Sequence, residues 1–339
     1  GMSHLLGTYP PRLQIPAIKI QFLSLLLLTP PAYSQVGQAC VPPPRPYPDY
    51  WFVHTRACPQ VMGTDPRPFL QASWLDSRGC LAMRDPADLA AMAIGRPVIF
   101  LVHGSYYSAD RAVTEGLRIH DAFVTLQAIP PDAVVVAFDW PTEVVYANPV
   151  RDANEQGRRA FVAGYHLARF LQEFPPGSRV SLIGHSHGGL AVLSALHLLG
   201  GGTLDTGDAC AAYRLPDLLP GIRLRAVVIV PGCDRHWLDP GQRLDRALVA
   251  SEGILCLFNR LDPAPVLHPF GRYSDHRQAL GRTGLSRLDE ARLGPVAARY
   301  CEQTIAPLVG VRHTFLGTVE TMPAAWWMAP YLLTFRTSV

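Results

Sequence analysis

Four short runs, PVIFLVH (97–103), AVVVAFD (133–139), RAVVIV (225–230) and GILCLFN (253–259), are apolar at nearly every position. A strand with one face in water alternates in polarity. One that is apolar throughout has both faces covered, which calls for a parallel sheet whose crossovers carry helices. Helical patterns lie where those crossovers belong. Val113, Leu117 and Val124 repeat at helical spacing within 110–129, and Phe161, Tyr165, Ala168 and Leu171 do so across 154–174, before a Pro175-Pro176-Gly177 stop. Four more strand candidates, YWFVHT (50–55), PFLQASWL (68–75), RVSLIGH (179–185) and a weaker YCEQTIAP (300–307), complete the expectation. The fold class is α/β, a mostly parallel eight-stranded sheet with helices on both faces.

The composition suits a large core, with 48% hydrophobic and 17% charged residues, and excludes disorder as the main state. Net charge is +3 and is spread along the chain with no basic run, so nucleic acid is not an expected partner. Lys19 is the only lysine. Because it sits in an N-terminal hydrophobic run, P-loop, Schiff-base and Ser-x-x-Lys chemistries have no lysine to use.

That run, IKIQFLSLLLL (18–28), is about half a membrane span but suits a signal-peptide core. A packed N-terminal arm is the alternative. Membrane association is expected only through this segment, and the protein is exported or membrane-associated, otherwise cytoplasmic. Cys40 lacks the aliphatic residue of a lipoprotein box, and a proline-rich stretch over 29–48 reads as an extended linker. The domain expectation is therefore a leader and linker over 1–49 and one globular domain over 50–339. Seven scattered cysteines do not make a disulfide scaffold. Cys40, Cys58 and Cys80 are the ones to pair if the chain is exported, while Cys233 and Cys256 read as small core residues.

The chemistry centres on Gly184-His185-Ser186-His187-Gly188-Gly189, between an apolar strand and an apolar helix at 187–199. A serine on a sharp strand-to-helix turn needs small residues two before and two after it, and Ser186 has both. A hydroxyl is a poor nucleophile without a base and without donors for the oxyanion it creates. His103-Gly104-Ser105 ends another strand, where the N–H of Ser105, with that of His187, suits an oxyanion hole. His103 itself reads as a structural hydrogen-bonding residue. Read as a metal pair, His185 and His187 straddle a turn with no further ligand nearby, so no metal and no cofactor is expected.

The order of strand-His-Gly, Gly-His-Ser-His-Gly elbow, later acid and last histidine resembles the α/β-hydrolase superfamily over roughly residues 50–339, and Phe138-Asp139-Trp140-Pro141 is similar to a poorly characterised bacterial branch of it. The resemblance implies that the acid lies in Asn259-Arg260-Leu261-Asp262-Pro263 and the base in VGVRHTFLG, giving Ser186, Asp262 and His313. Asp234 is a second candidate for the acid, and His268 and His276 for the base. The activity so implied is that of a serine hydrolase of esterase or lipase type, cleaving a small-molecule carboxylic ester or related acyl bond. An acyltransferase with the same triad, and a catalytically silent binding or scaffold protein, are the alternatives. Tyr106, Tyr107, Trp326, Trp327 and Met328 are either core residues or the lining of an acyl pocket, and only about 22 residues part the sixth and seventh strands, too few for a deep lid.

Overall fold

A computed structural model of the chain describes residues 49–76, 79–205, 212–216, 221–265, 268, 271, 273–275 and 277–332. The expected leader and linker, with Cys40, lie outside these residues, apart from Asp49, which opens the first strand. His276 lies outside them as well.

The strands are β1 (Asp49–His54), β2 (Gln71–Leu75), β3 (Leu81–Arg84), β4 (Pro97–Val102), β5 (Val134–Asp139), β6 (Arg179–His185), the short pair β7 (Thr203–Leu204) and β8 (Tyr213–Arg214), then β9 (Arg223–Ile229), β10 (Gly253–Phe258) and β11 (Tyr300–Thr304). Nine of them form one sheet in the order β11-β10-β9-β6-β4-β5-β1-β2-β3. From β11 to β1 every neighbouring pair is parallel; β2 and β3 add antiparallel pairings at one end. The sheet thus has nine strands and not the expected eight. The extra one is β3, whose LAMR sequence has no buried residue and so carries no apolar pattern to find. Among the described residues it lies at the sheet's edge, hydrogen-bonded to β2 alone, with Leu81 37% and Met83 67% exposed. The weak run at 300–307 does form β11.

The apolar strands serve two faces by alternation. Val98, Phe100 and Val102 of β4 join one core with α1 (Pro86–Met92), α3 (Pro149–Leu171) and α4 (His187–Leu199). Ile99 and Leu101 join the other with α2 (Ala109–Thr125) and the helix Met322–Leu332. A strand that points every second side chain to the opposite layer must be apolar at every position. Helix starts follow side-chain capping: Ser108 accepts from Arg111 N–H and Asn148 from Arg151 N–H, with Pro149 in the first turn of α3. α3 and α4 pack so closely that a Cβ on Gly164 would lie 2.6 Å from the Ala191 carbonyl oxygen.

From β4 the chain crosses to β5 on one side, then returns past β4 to reach β6 on the other. The chain leaving β4 and the chain leaving β6 therefore lead to helices on opposite faces of the sheet, and the carboxyl ends at such a switch point are the usual ligand position in open α/β sheets. The strand order, the helical layers and the sharp turn after β6 together define the α/β-hydrolase fold. No helix among the described residues is long and apolar enough to cross a membrane. Cys58, Cys80, Cys233, Cys256 and Cys301 are free. A pairing of Cys58 with Cys80 is thus absent, while Cys233 and Cys256 are buried core residues as their surroundings in the sequence imply.

Candidate active site

Ser186 has φ 55° and ψ −124° between β6 and α4, a left-handed conformation that a non-glycine residue adopts only under constraint. The constraint is visible. Ser186 N–H donates to the Ile229 carbonyl at 2.9 Å, and its own carbonyl accepts from Gly189 at 2.9 Å and Gly232 at 3.1 Å. A Cβ on Gly184 would meet the Gly188 carbonyl oxygen at 2.4 Å, and one on Gly188 would meet the Val102 and His103 carbonyl oxygens at 2.3 Å. Small residues on both sides of the serine are therefore a steric requirement. Tyr106 (φ 68°) and Val230 (φ 44°) share the left-handed region just past β4 and β9, so backbone strain gathers at the ends of three adjacent strands.

The turn after β4 lies directly against the elbow. A Cβ on Gly104 would approach Ser186 Cβ to 3.1 Å and His185 Nδ1 to 3.0 Å. Ser105 Oγ is 2.7 Å from His187 Nδ1, linking the two turns by side chains as well. Among the described residues no backbone carbonyl accepts from the N–H of Ser105 or of His187, so both donors remain open. Burial pushes the His187 imidazole down to about 4, and the nearby His268 and His313 act in the same direction, so at neutral pH it is uncharged.

Beneath this turn lies a charge cluster in which sequence reasoning assigns a role to His103 alone. Arg56 holds Asp139 through Nε (2.6 Å) and Nη2 (2.7 Å), and its Nη2 also donates to the Tyr107 carbonyl at 3.1 Å. His103 Nε2 is 3.0 Å from Asp139 Oδ1, while Trp140 Nε1 donates to the His103 carbonyl at 2.9 Å. The His103 ring stacks with both Tyr107 and Trp140. Burial alone would raise the Asp139 carboxyl, but hydrogen bonds from His103, His54 and Arg56 outweigh it and hold the group well below the usual carboxylate range. His103 thus has the structural part expected of it. Asp139 belongs to the Phe-Asp-Trp-Pro stretch that carries part of the resemblance, whereas Arg56 leaves no signal in the sequence beyond its own charge.

On the other side of the elbow, Asp262 and His313 come together: Asp262 Oδ2 is 2.5 Å from His313 Nδ1. Asp262 is buried, its Oδ1 accepting from Ala264 N–H at 2.9 Å, and the His313 side chain keeps 26% exposure. The His313 ring centroid is 4.6 Å from that of His185, the residue preceding Ser186. Asn259, fully buried, ties the two loops together. Its Nδ2 donates to the Gly310 carbonyl at 2.8 Å and its Oδ1 accepts from Leu261 N–H at 3.0 Å.

Asp234 and His268 form a second such pair, 2.5 Å apart. Here the carboxylate is already engaged, by Ser274 Oγ at 2.9 Å and Asp275 N–H at 2.6 Å. The aromatic candidates for a pocket divide. Tyr107 is buried beside His103, Tyr106 is exposed, Trp326 is 66% exposed, and Met328 is part of the core on the α2 side of the sheet.

No family model matches the chain, and no curated protein matches it. Among solved structures it is similar to esterase B from Lactobacillus rhamnosis (11% identity, TM-score 0.37, covering 83% of this chain and 85% of that one). A truncated carbohydrate esterase from gut microbiota (12%, 0.37, 83% and 94%) and a bacterial heroin esterase (14%, 0.33, 71% and 76%) are similar to the same degree. The fold is defined by the strand order and the elbow, not by these distant likenesses.

Proposed function

We propose that this protein is a serine hydrolase that cleaves a carboxylic ester or related acyl bond through an acyl-enzyme. The observation that carries this reading is the buried Asp262 carboxylate on His313, with the His313 ring against the residue preceding the strained Ser186. In the first half-reaction His313 takes the Ser186 proton as the hydroxyl adds to the substrate carbonyl, and Asp262 stabilises the imidazolium that forms. The negative charge that develops on the carbonyl oxygen is met by the N–H groups of Ser105 and His187. His313 then returns the proton to the leaving alcohol. Water repeats the sequence on the acyl-enzyme, releasing acid and Ser186.

Asp262 is a better acid than Asp234 on hydrogen-bond grounds, because Asp234 has its oxygens occupied by loop groups. The test is labelling of the full chain with a fluorophosphonate, alongside turnover of activated esters. Parent protein should label and turn over, and Ser186→Ala should do neither while melting cooperatively. An unlabelled, inactive parent would leave the binding or scaffold alternative; product formed with added alcohols in place of water would identify an acyltransferase.

A further inference from the structure

His185 closes β6 on the same face as Ile183, where strand alternation sends side chains into the core on the α2 side of the sheet. An apolar residue is expected there, and a histidine stands in its place. It is 3% exposed, and among the described residues neither of its ring nitrogens has a hydrogen-bond partner. Such a ring forgoes its hydration, a cost that an apolar ring of the same shape would not carry. The neighbours of this ring belong to the candidate site. It stacks on Phe315 with centroids 5.6 Å and planes 11° apart, and its centroid lies 4.6 Å from that of His313 at an angle of 47°. A Cβ on Gly104 would come within 3.0 Å of His185 Nδ1, so the turn after β4 closes on the ring as well. The ionisable groups that face it are His313 from the loop after β11, Arg111 from α2, His103 beside the end of β4 and His187 from α4. Burial pushes His185 well below the usual imidazole range, and these four act in the same direction, so at neutral pH the ring carries no charge. Around His313 stand Asp262, His185 and His187.

We propose that His185 acts through His313 as a positioning residue, its ring packing against the His313 imidazole and its unbonded nitrogens lending a dipole to the cation that forms there. The inference rests on the hydrolase reading above, in which His313 takes up the Ser186 proton. A neutral imidazole has an N–H on one nitrogen and a lone pair on the other, and either nitrogen can carry the proton. No partner among the described residues dictates which. The favoured form is therefore the one whose dipole suits positive charge on His313, and no heavy atom has to move. In surroundings as dry as those of His185 a dipole already in place counts for more than it does in water. Phenylalanine keeps the packing and removes the dipole, so one substitution separates shape from electrostatics.

The experiment compares the full chain with its His185→Phe and His185→Gln variants. NMR of histidine-labelled protein follows the His313 Cε1–H from about pH 4 to pH 9, the resonance being assigned by its loss in His313→Gln, and turnover of an activated ester is measured over the same range. His185→Phe should lower the His313 midpoint by about 0.5 to 1 pH unit and kcat by about three- to tenfold with KM unchanged. It should also raise the melting temperature, because no polar ring is left unbonded. His185→Gln restores a polar group and should bring midpoint and kcat back towards the parent. Should His185→Phe fail to fold by circular dichroism, His185→Leu takes its place in the comparison. A midpoint and a kcat that the apolar variant leaves unchanged overturn the proposal, as does an equal loss in His185→Gln. A lowered midpoint in His185→Phe, beside a parent that turns over no ester, supports the coupling of the two rings and overturns the hydrolase reading instead.

Discussion

At the scale of single residues, the two carboxylate–histidine pairs make opposite predictions. Asp262→Asn keeps the shape of the side chain and removes the charge that would stabilise a His313 cation, an effect that reaches about 10⁴-fold in the serine proteases. Asp234→Asn changes a carboxylate that organises a loop, and its turnover should stay within about tenfold of the parent. Measuring kcat for both variants on one activated ester separates them, and a large loss in Asp234→Asn alone would move the acid to the end of β9. Their candidacy was readable because chemistry restricts the residue type and the family resemblance restricts the chain order. Asn259 was not legible as a clamp: its bonds to Gly310 and Leu261 depend on how two loops meet, which no local pattern records.

At the scale of elements, the elbow and the turn after β4 are packed directly against each other. Gly188→Ala would drive a methyl group into the Val102 and His103 carbonyl oxygens, so it should cost about 1–3 kcal/mol and lower kcat together with stability. Arg56→Met tests the support below. It removes the guanidinium from the buried Asp139 and should destabilise by about 3 kcal/mol, read from urea denaturation. A fall in kcat with KM unchanged would support a part for the cluster in aiming the N–H groups proposed as oxyanion donors. Both-face burial made β4, β5, β9 and β10 readable from their continuous apolar runs. The same rule hides β3, which buries nothing, and the β7–β8 pair, which spans two residues on each side. Arg56 and Asp139 are parted by 83 residues, and only the sheet, by pairing β1 with β5, brings them together.

Across the whole molecule, buried histidines tie stability to pH. Burial pushes His166 down to about 4, against a smaller opposing pull from the Pro59 carbonyl, and His187 also lies at about 4. Each is neutral in the folded state and free to take a proton near 6.5 once unfolded. Below that value the unfolded chain binds more protons, so stability should be full above pH 6.5 and fall steadily towards pH 4. Urea midpoints at pH 7.0, 5.5 and 4.5 check this, and His166→Gln should flatten the slope if it folds. A midpoint that stays level from pH 7.0 to 4.5 would contradict the assignment of neutral buried rings.

The outer strand Leu81–Arg84 bears on how the molecule behaves in a crowded solution. An edge strand presents unused N–H and C=O groups that a second sheet can adopt, and here Leu81 and Met83 offer apolar side chains beside them. Its shortness, four residues ending in Arg84 and followed by Asp85, limits how far such a pairing could spread. Self-association through this edge would therefore be weak, reversible and steeply dependent on concentration. Met83→Lys should lower light scattering at high protein concentration while leaving turnover of activated esters unchanged, and scattering that stays the same would exclude this edge as the contact.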